Sequence, residues 1–298
     1  KPLNMALSLL LFALGVGLIS LLLNLNRQIE RNFEKNFAGI HLVVGAKGSP
    51  LQLILSSMYH VDNPTGNVKI GDVRPFLNPK HPFIEQAVPL SLGDSYEGHR
   101  IVGTSHELVK LYGAAIAEGK LWEENLEVTV GSLAAKRLNL KLGDTFKGAH
   151  GLADGASEHE HDFKVVGILQ PAGSVVDQLI LTNTQSIWEV HEHQQTEAAE
   201  AKTTDSTALV EAEIHDHEMH ENEPTSLLDE PEKEITSILV RVKKEALTNP
   251  RYIQMLNEFR KHPSIQVTQT SYEVDKLLSN FDTGTNALKA LAWVIVGV

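Results

Sequence analysis

The sequence predicts an α+β fold carried on an N-terminal membrane helix, and three observations predict it. An uncharged apolar run fills residues 5–25. Short stretches with strand alternation recur between residues 40 and 270, interleaved with short helical stretches. A second apolar run opens near residue 287 and reaches Val298.

The first run, Met5 to Leu25, is long enough to cross a hydrocarbon core of about 30 Å at roughly 1.5 Å per residue, and a helix satisfies its own backbone there. A signal peptide has a shorter apolar region, about 7–15 residues, followed by a small-residue cleavage site. This run instead continues into the charged segment from Asn26 to Lys35, so residues 5–25 read as a retained transmembrane helix. Leu25, Ile29, Phe33 and Phe37 recur every fourth residue and put one apolar stripe on a stalk helix over 26–39, which Gly39 ends. Such a stripe needs a partner.

Ile40 to Val44 reads as a strand. The following Gly45-Ala46-Lys47-Gly48-Ser49-Pro50 superficially suggests a phosphate loop, but a Walker A motif requires Gly-Lys-Ser/Thr entering a helix, and that tripeptide occurs nowhere in the chain. A turn before a short packed helix, Leu51 to Tyr59, is the better reading. Asn63-Pro64-Thr65-Gly66-Asn67 forms a turn, and Pro75, Pro79 and Pro82 punctuate the approach to strands at Ile84 to Leu90 and His99 to Thr104. Further on, Val128 to Val130 is a strand, Leu133 to Leu138 a short helix, and Leu140-Lys141-Leu142-Gly143-Asp144 a turn whose carboxylate is structural. Phe163 to Leu169 alternates as a strand, and Leu179 to Leu181 is short and apolar. Order resumes with a strand at Ile235 to Val242, a helix at Tyr252 to Lys261 and a strand at Ile265 to Thr270. Val274, Leu277, Leu278 and Phe281 then lead a helix into the run from Ala287 to Val298, which is too short to span alone and reads as a second span cut partway.

The expected organisation is a transmembrane helix over 5–25, a stalk over 26–39, and a membrane-proximal α+β part over 40–110 and 243–272. A β-rich insertion fills 111–242, a second stalk 273–286, and the start of a second transmembrane helix 287–298. The two stalks then leave the membrane on the same side and can pack together.

The chain has 298 residues, no cysteine and a net charge of -12. Disulfides and thiolate metal sites are excluded. Between His191 and Glu232 there are thirteen acidic residues against the single Lys202, so that segment carries the whole excess. With no basic surface, nucleic acid is not an expected partner. Dense charge without periodicity over 194–231 predicts a disordered acidic loop.

Eight of the fourteen histidines fall between His150 and His220. The runs His159-Glu160-His161, His191-Glu192-His193 and His215-Asp216-His217-Glu218-Met219-His220 offer imidazole among carboxylates, a donor set suited to Zn2+, Ni2+ or Cu2+. His159, His161, His191, His193, His215, His217 and His220 are the candidate ligands for weak binding, with Zn2+ the candidate ion. None lies in a His-Glu-x-x-His motif, which removes the metalloprotease reading. No nucleophile, acid/base pair or cofactor fingerprint stands out, so no catalytic residues are assigned.

The apolar span with its charged stalk, the run Leu42 to Pro50, the Asn63 to Asn67 turn, the Val130 to Asp144 unit and the Val165 to Leu169 strand together resemble the permease subunits of FtsX/MacB-type (type VII, mechanotransmission) ABC transporters. The resemblance covers Met5 to about His193 and Ile235 to Val298, leaving out the histidine-rich stretch. It implies a MacB-like periplasmic core domain and a non-catalytic permease subunit of the bacterial inner membrane, acting as a dimer with a separate cytoplasmic ATPase that holds the ATP. A regulatory membrane protein controlling a periplasmic partner, or a metal-responsive module, are the alternatives.

Overall fold

Residues Pro2–Phe37 form one continuous helix, α1, about 54 Å long at 1.5 Å per residue. The computed structural model describes residues 2–151, 158–191 and 226–297. The N-terminal half of α1 exposes its apolar side chains, Leu3 at 79% and Met5 at 77% among them, a surface that needs lipid rather than water around it. Among the described residues α1 is the one helix long and apolar enough to cross a membrane. It stops where Ala38 and Gly39 turn left-handed, with φ of 45° and 71°. The Arg241 guanidinium lies over Gly39, and its Nη2 donates to the Ala38 carbonyl at 2.6 Å.

The body is a mixed sheet with helices on its faces. After α1 come β1 (Leu42–Ala46), α2 (Pro50–Met58), β2 (Val68–Lys69), α3 (Ile70–Leu77), β3 (Ile84–Tyr96), β4 (His99–Thr104), α4 (Glu107–Leu111), β5 (Ile116–Gly119), β6 (Glu127–Val130) and α5 (Ser132–Leu138). Then follow β7 (Thr145–His150), β8 (Glu158–Leu169), β9 (Ile180–Thr182) and a helix α6 over 184–191. The chain closes with β10 (Glu234–Ile235), β11 (Ser237–Val242), α7 (Pro250–Arg260), β12 (Ile265–Gln269) and α8 (Thr270–Gly297). Among the described residues the strands run β12-β1-β11-β3-β4-β9-β6-β8-β5, with β7 bridging β3 and β8.

Strand β1 explains the layering. Its residues are buried on both faces, so alternation sends Val43 into one core and Leu42 and Val44 into another. The first core is closed by Leu53, Ile54 and Met58 of α2 and Val274 of α8. The second is closed by Phe76 of α3 and Tyr252 and Leu256 of α7. A third core lies under α5 and α6, where Ala134, Ile187 and Val190 meet Val128, Phe163 and Ile180.

The α+β class read from the sequence holds, as do most of the strands. Two details differ. Strand β11 sits between β1 and β3, with Leu42↔Val240 and Leu239↔Val88 opposite one another, so 237–242 belong to the membrane-proximal sheet rather than to the inserted part. The disorder expected over 194–231 does not extend to 226–231, where a 3-10 turn, Leu227–Asp229, starts at the capping hydroxyl of Ser226 and the Pro231 carbonyl accepts from Gly71 N at 2.9 Å. The rest of that stretch lies outside the described residues.

The stalk stripe finds part of its partner. The Phe33 ring packs edge-on against Tyr59, centroids 4.7 Å apart, and joins the α2 core with Leu278. Helices α1 and α8 pack against each other. Asn36, in the last turn of α1, accepts from the backbone N–H of Val175 at 2.7 Å and so ties the stalk to the inserted part.

Candidate functional site

The loop at Lys47 to Pro50 uses its donors internally. Lys47 Nζ donates to the His262 carbonyl at 3.1 Å, and Ser49 caps α2 by accepting from Gln52 N at 3.4 Å with Pro50 following in the first turn. Asp144 accepts from Lys141 N at 2.8 Å, which is turn chemistry.

The cluster that gathers metal-ligating groups lies elsewhere, where β3, β7 and α6 meet. Asp94 reaches it through a bulge in β3: the register against β4 shifts between Leu92 and Asp94, and a bulge re-aims the side chains that follow. Strand β7 brings His150 directly opposite Asp94, with Ala149 opposite Ser95. Two hydrogen bonds fix that crossing, one from Gly151 N to the Gly93 carbonyl at 2.6 Å and one from the Ser95 hydroxyl to the Gly151 carbonyl.

His191 arrives from α6. Asn183 starts that helix by accepting from Ser186 N at 2.7 Å, and Trp188 Nε1 donates to the Glu234 carbonyl at 2.7 Å. A side chain at Gly103 would place its Cβ 2.6 Å from Ile187, so the glycine lets α6 lie close against β4.

The three ligand atoms all lie within 4.8 Å of one another. His191 Nε2 is 3.2 Å and His150 Nδ1 3.5 Å from the same Asp94 Oδ1. The two imidazoles meet edge to face, centroids 5.2 Å apart. The Asp94 side chain is fully buried, while His150 is largely open and His191 about one-third open. The hydrogen bond to Asp94 raises the His191 pKa above the ordinary imidazole value; burial opposes this, and the carboxylate charge adds to it.

Of the candidate ligands read from the sequence, His191 enters this cluster. His159 and His161 lie on β8, and His193, His215, His217 and His220 lie outside the described residues. Asp94 was missed, and His150 was counted with the other histidines but not chosen. No local spacing joins positions 94, 150 and 191; only the pairing of β7 onto β3 does.

Fold and helices together define a membrane-anchored α+β protein. The chain belongs to the MacB-like periplasmic core domain family, whose model matches residues 5–217. This bears out the FtsX/MacB-type ABC permease kinship expected from the motifs, and the protein is a membrane protein with a periplasmic domain. Its fold is similar to the periplasmic region of MacB from Actinobacillus actinomycetemcomitans, at 12% identity and a TM-score of 0.45 over 81% of this chain and 95% of that one. It is also similar to the extracellular domain of the noncanonic ABC-type transporter YknZ from Gram-positive bacteria, at 12% identity and a TM-score of 0.39 over 77% of this chain and 99% of that one. No curated protein matches the sequence.

Proposed function

We propose that this chain is the permease subunit of a bacterial inner-membrane ABC transporter, working as a pair of copies with a cytoplasmic ATPase on a separate chain. ATP-driven movement of the membrane helices becomes movement of the periplasmic body, which exports or extracts a substrate. The chain itself is non-catalytic.

The observation that supports this reading is where the two long helices leave the body. Helix α1 precedes β1, α8 follows β12, and β1 and β12 are paired neighbours with Leu42 opposite Gln269. Both helices therefore issue from one strand pair and pack side by side. Motion of either helix along or about its axis loads the same edge of the sheet, and Asn36 and Arg241 carry it further, to Val175 and to β11.

The test is purification of the full-length protein from bacterial membranes. Recovery of a stoichiometric ABC ATPase whose turnover the permease raises is the expected result. Recovery with a periplasmic protein but no ATPase would favour a regulatory role and overturn the transport reading.

A further inference from the structure

We propose that Asp94, His150 and His191 form a binding site for a borderline transition-metal cation, Zn2+ foremost, held on the periplasmic body where β3, β7 and α6 meet. The proposal does not rest on the transport reading.

Distances set the fit. Zn2+ holds nitrogen and oxygen ligands at about 2.0–2.1 Å, so neighbouring ligand atoms in a tetrahedral shell stand about 3.3 Å apart. The two nitrogen-to-Oδ1 separations, 3.2 and 3.5 Å, lie on either side of that spacing. A simple ion pair explains one imidazole on the carboxylate. Here two imidazoles about forty positions apart in the chain, one brought by a strand and one by a helix, turn a ring nitrogen toward one carboxylate oxygen.

Donor chemistry narrows the ion. Two imidazoles and one carboxylate suit Zn2+, Cu2+ or Ni2+, whereas Ca2+ and Mg2+ prefer shells built almost wholly of oxygen. Three protein ligands leave a fourth position, the arrangement of a zinc site that keeps a water or accepts an incoming donor. The opening lies on the His150 side, whose side chain is 59% exposed, while Asp94 is enclosed beneath.

The supporting framework is already fixed in this structure. Gly93 and Ser95, on either side of Asp94, each bond to Gly151, which holds β7 to β3 at the position of His150. Helix α6 is held at its start by Asn183, along its length by the buried Ile187 and Val190, and by the Trp188 bond to Glu234. Ligands carried on anchored elements lose little freedom on binding, which favours a defined site over loose capture.

The experiment must separate this cluster from the other histidines. In the full-length protein in detergent, His159, His161, His193, His215, His217 and His220 are all replaced by Ala, and Zn2+ is titrated by calorimetry. One equivalent is expected to bind, and Co2+ in its place should give the visible absorption of a four- or five-coordinate ion. Adding His150→Gln, at a side chain that is 59% exposed, should weaken Zn2+ at least tenfold, and Asp94→Asn should do the same. No binding in the six-alanine protein, or the same affinity after both His150→Gln and Asp94→Asn, overturns the proposal.

Discussion

The backbone N–H of Thr270 donates to the carbonyl of His41 at 3.1 Å, joining the first residue of α8 to the residue that leads from α1 into β1. The two long helices thus converge on one point of the sheet although more than two hundred residues separate them. Everything proposed about coupling depends on the stiffness of that junction.

Arg241 is the first test of the junction. Its Nη2 bond to the Ala38 carbonyl satisfies one of the acceptors left open at the end of α1, and its charge suits the negative end of the helix. Arg241→Ala should cost about 1.5–3 kcal/mol in chemical denaturation, the range for a hydrogen bond to a charged group. Arg241→Lys should recover only part, because an ammonium group lacks the planar fork. A loss indistinguishable from zero for Arg241→Ala would contradict this role.

Leu53 tests the layering. It is fully buried on α2 in the core that also receives Val43 and Val274. Leu53→Ala should destabilise by about 2–5 kcal/mol, transfer and cavity costs together. Leu247, 41% exposed, is the control, and Leu247→Ala should stay within about 0.5 kcal/mol by the same denaturation measurement.

His60 gives a pH dependence with a definite sign. Its ring is fully buried, and burial first, with the Arg100 charge second, lowers its pKa to about 3. The unfolded chain takes up that proton near pH 6.5, which the native state refuses. Stability is therefore full above about pH 6.5 and falls by roughly 1 kcal/mol per pH unit as the pH drops from there toward 3. Denaturation of wild type and His60→Asn at pH 7, 6 and 5 checks this, asparagine being chosen because residue 60 has a φ of 53°. The gap between the two proteins should change steadily in favour of the variant as pH falls; a constant gap would refute the assignment.

The fold was legible where one residue's surroundings are local. The apolar run of α1, the alternation of 163–169 and 235–242, and the glycine stop at Gly39 all express short-range physics. Helix α3 was not legible, because Pro75 inside it reads as a breaker and its anchoring comes from burial of Ile70, Val73 and Phe76 against distant elements. The end of strand β7 was not legible, since His150 owes its strand geometry to Asp94 across the pair rather than to its neighbours. The cluster failed to show for the same reason. His191 was visible from composition, but its companions are set by topology, and the Asp94 side chain is aimed by a bulge that no periodicity announces.

ATP turnover of the reconstituted transporter tests the central claim most directly. The full-length permease and its ATPase in lipid vesicles would be compared with the ATPase alone and with the Asn36→Ala, Arg241→Ala double variant, in which the α1 bonds to Val175 and to β11 are both removed. The account predicts that wild-type permease stimulates turnover and that the double variant, still folded and still bound to the ATPase, stimulates it less. Equal turnover with and without the permease would contradict it.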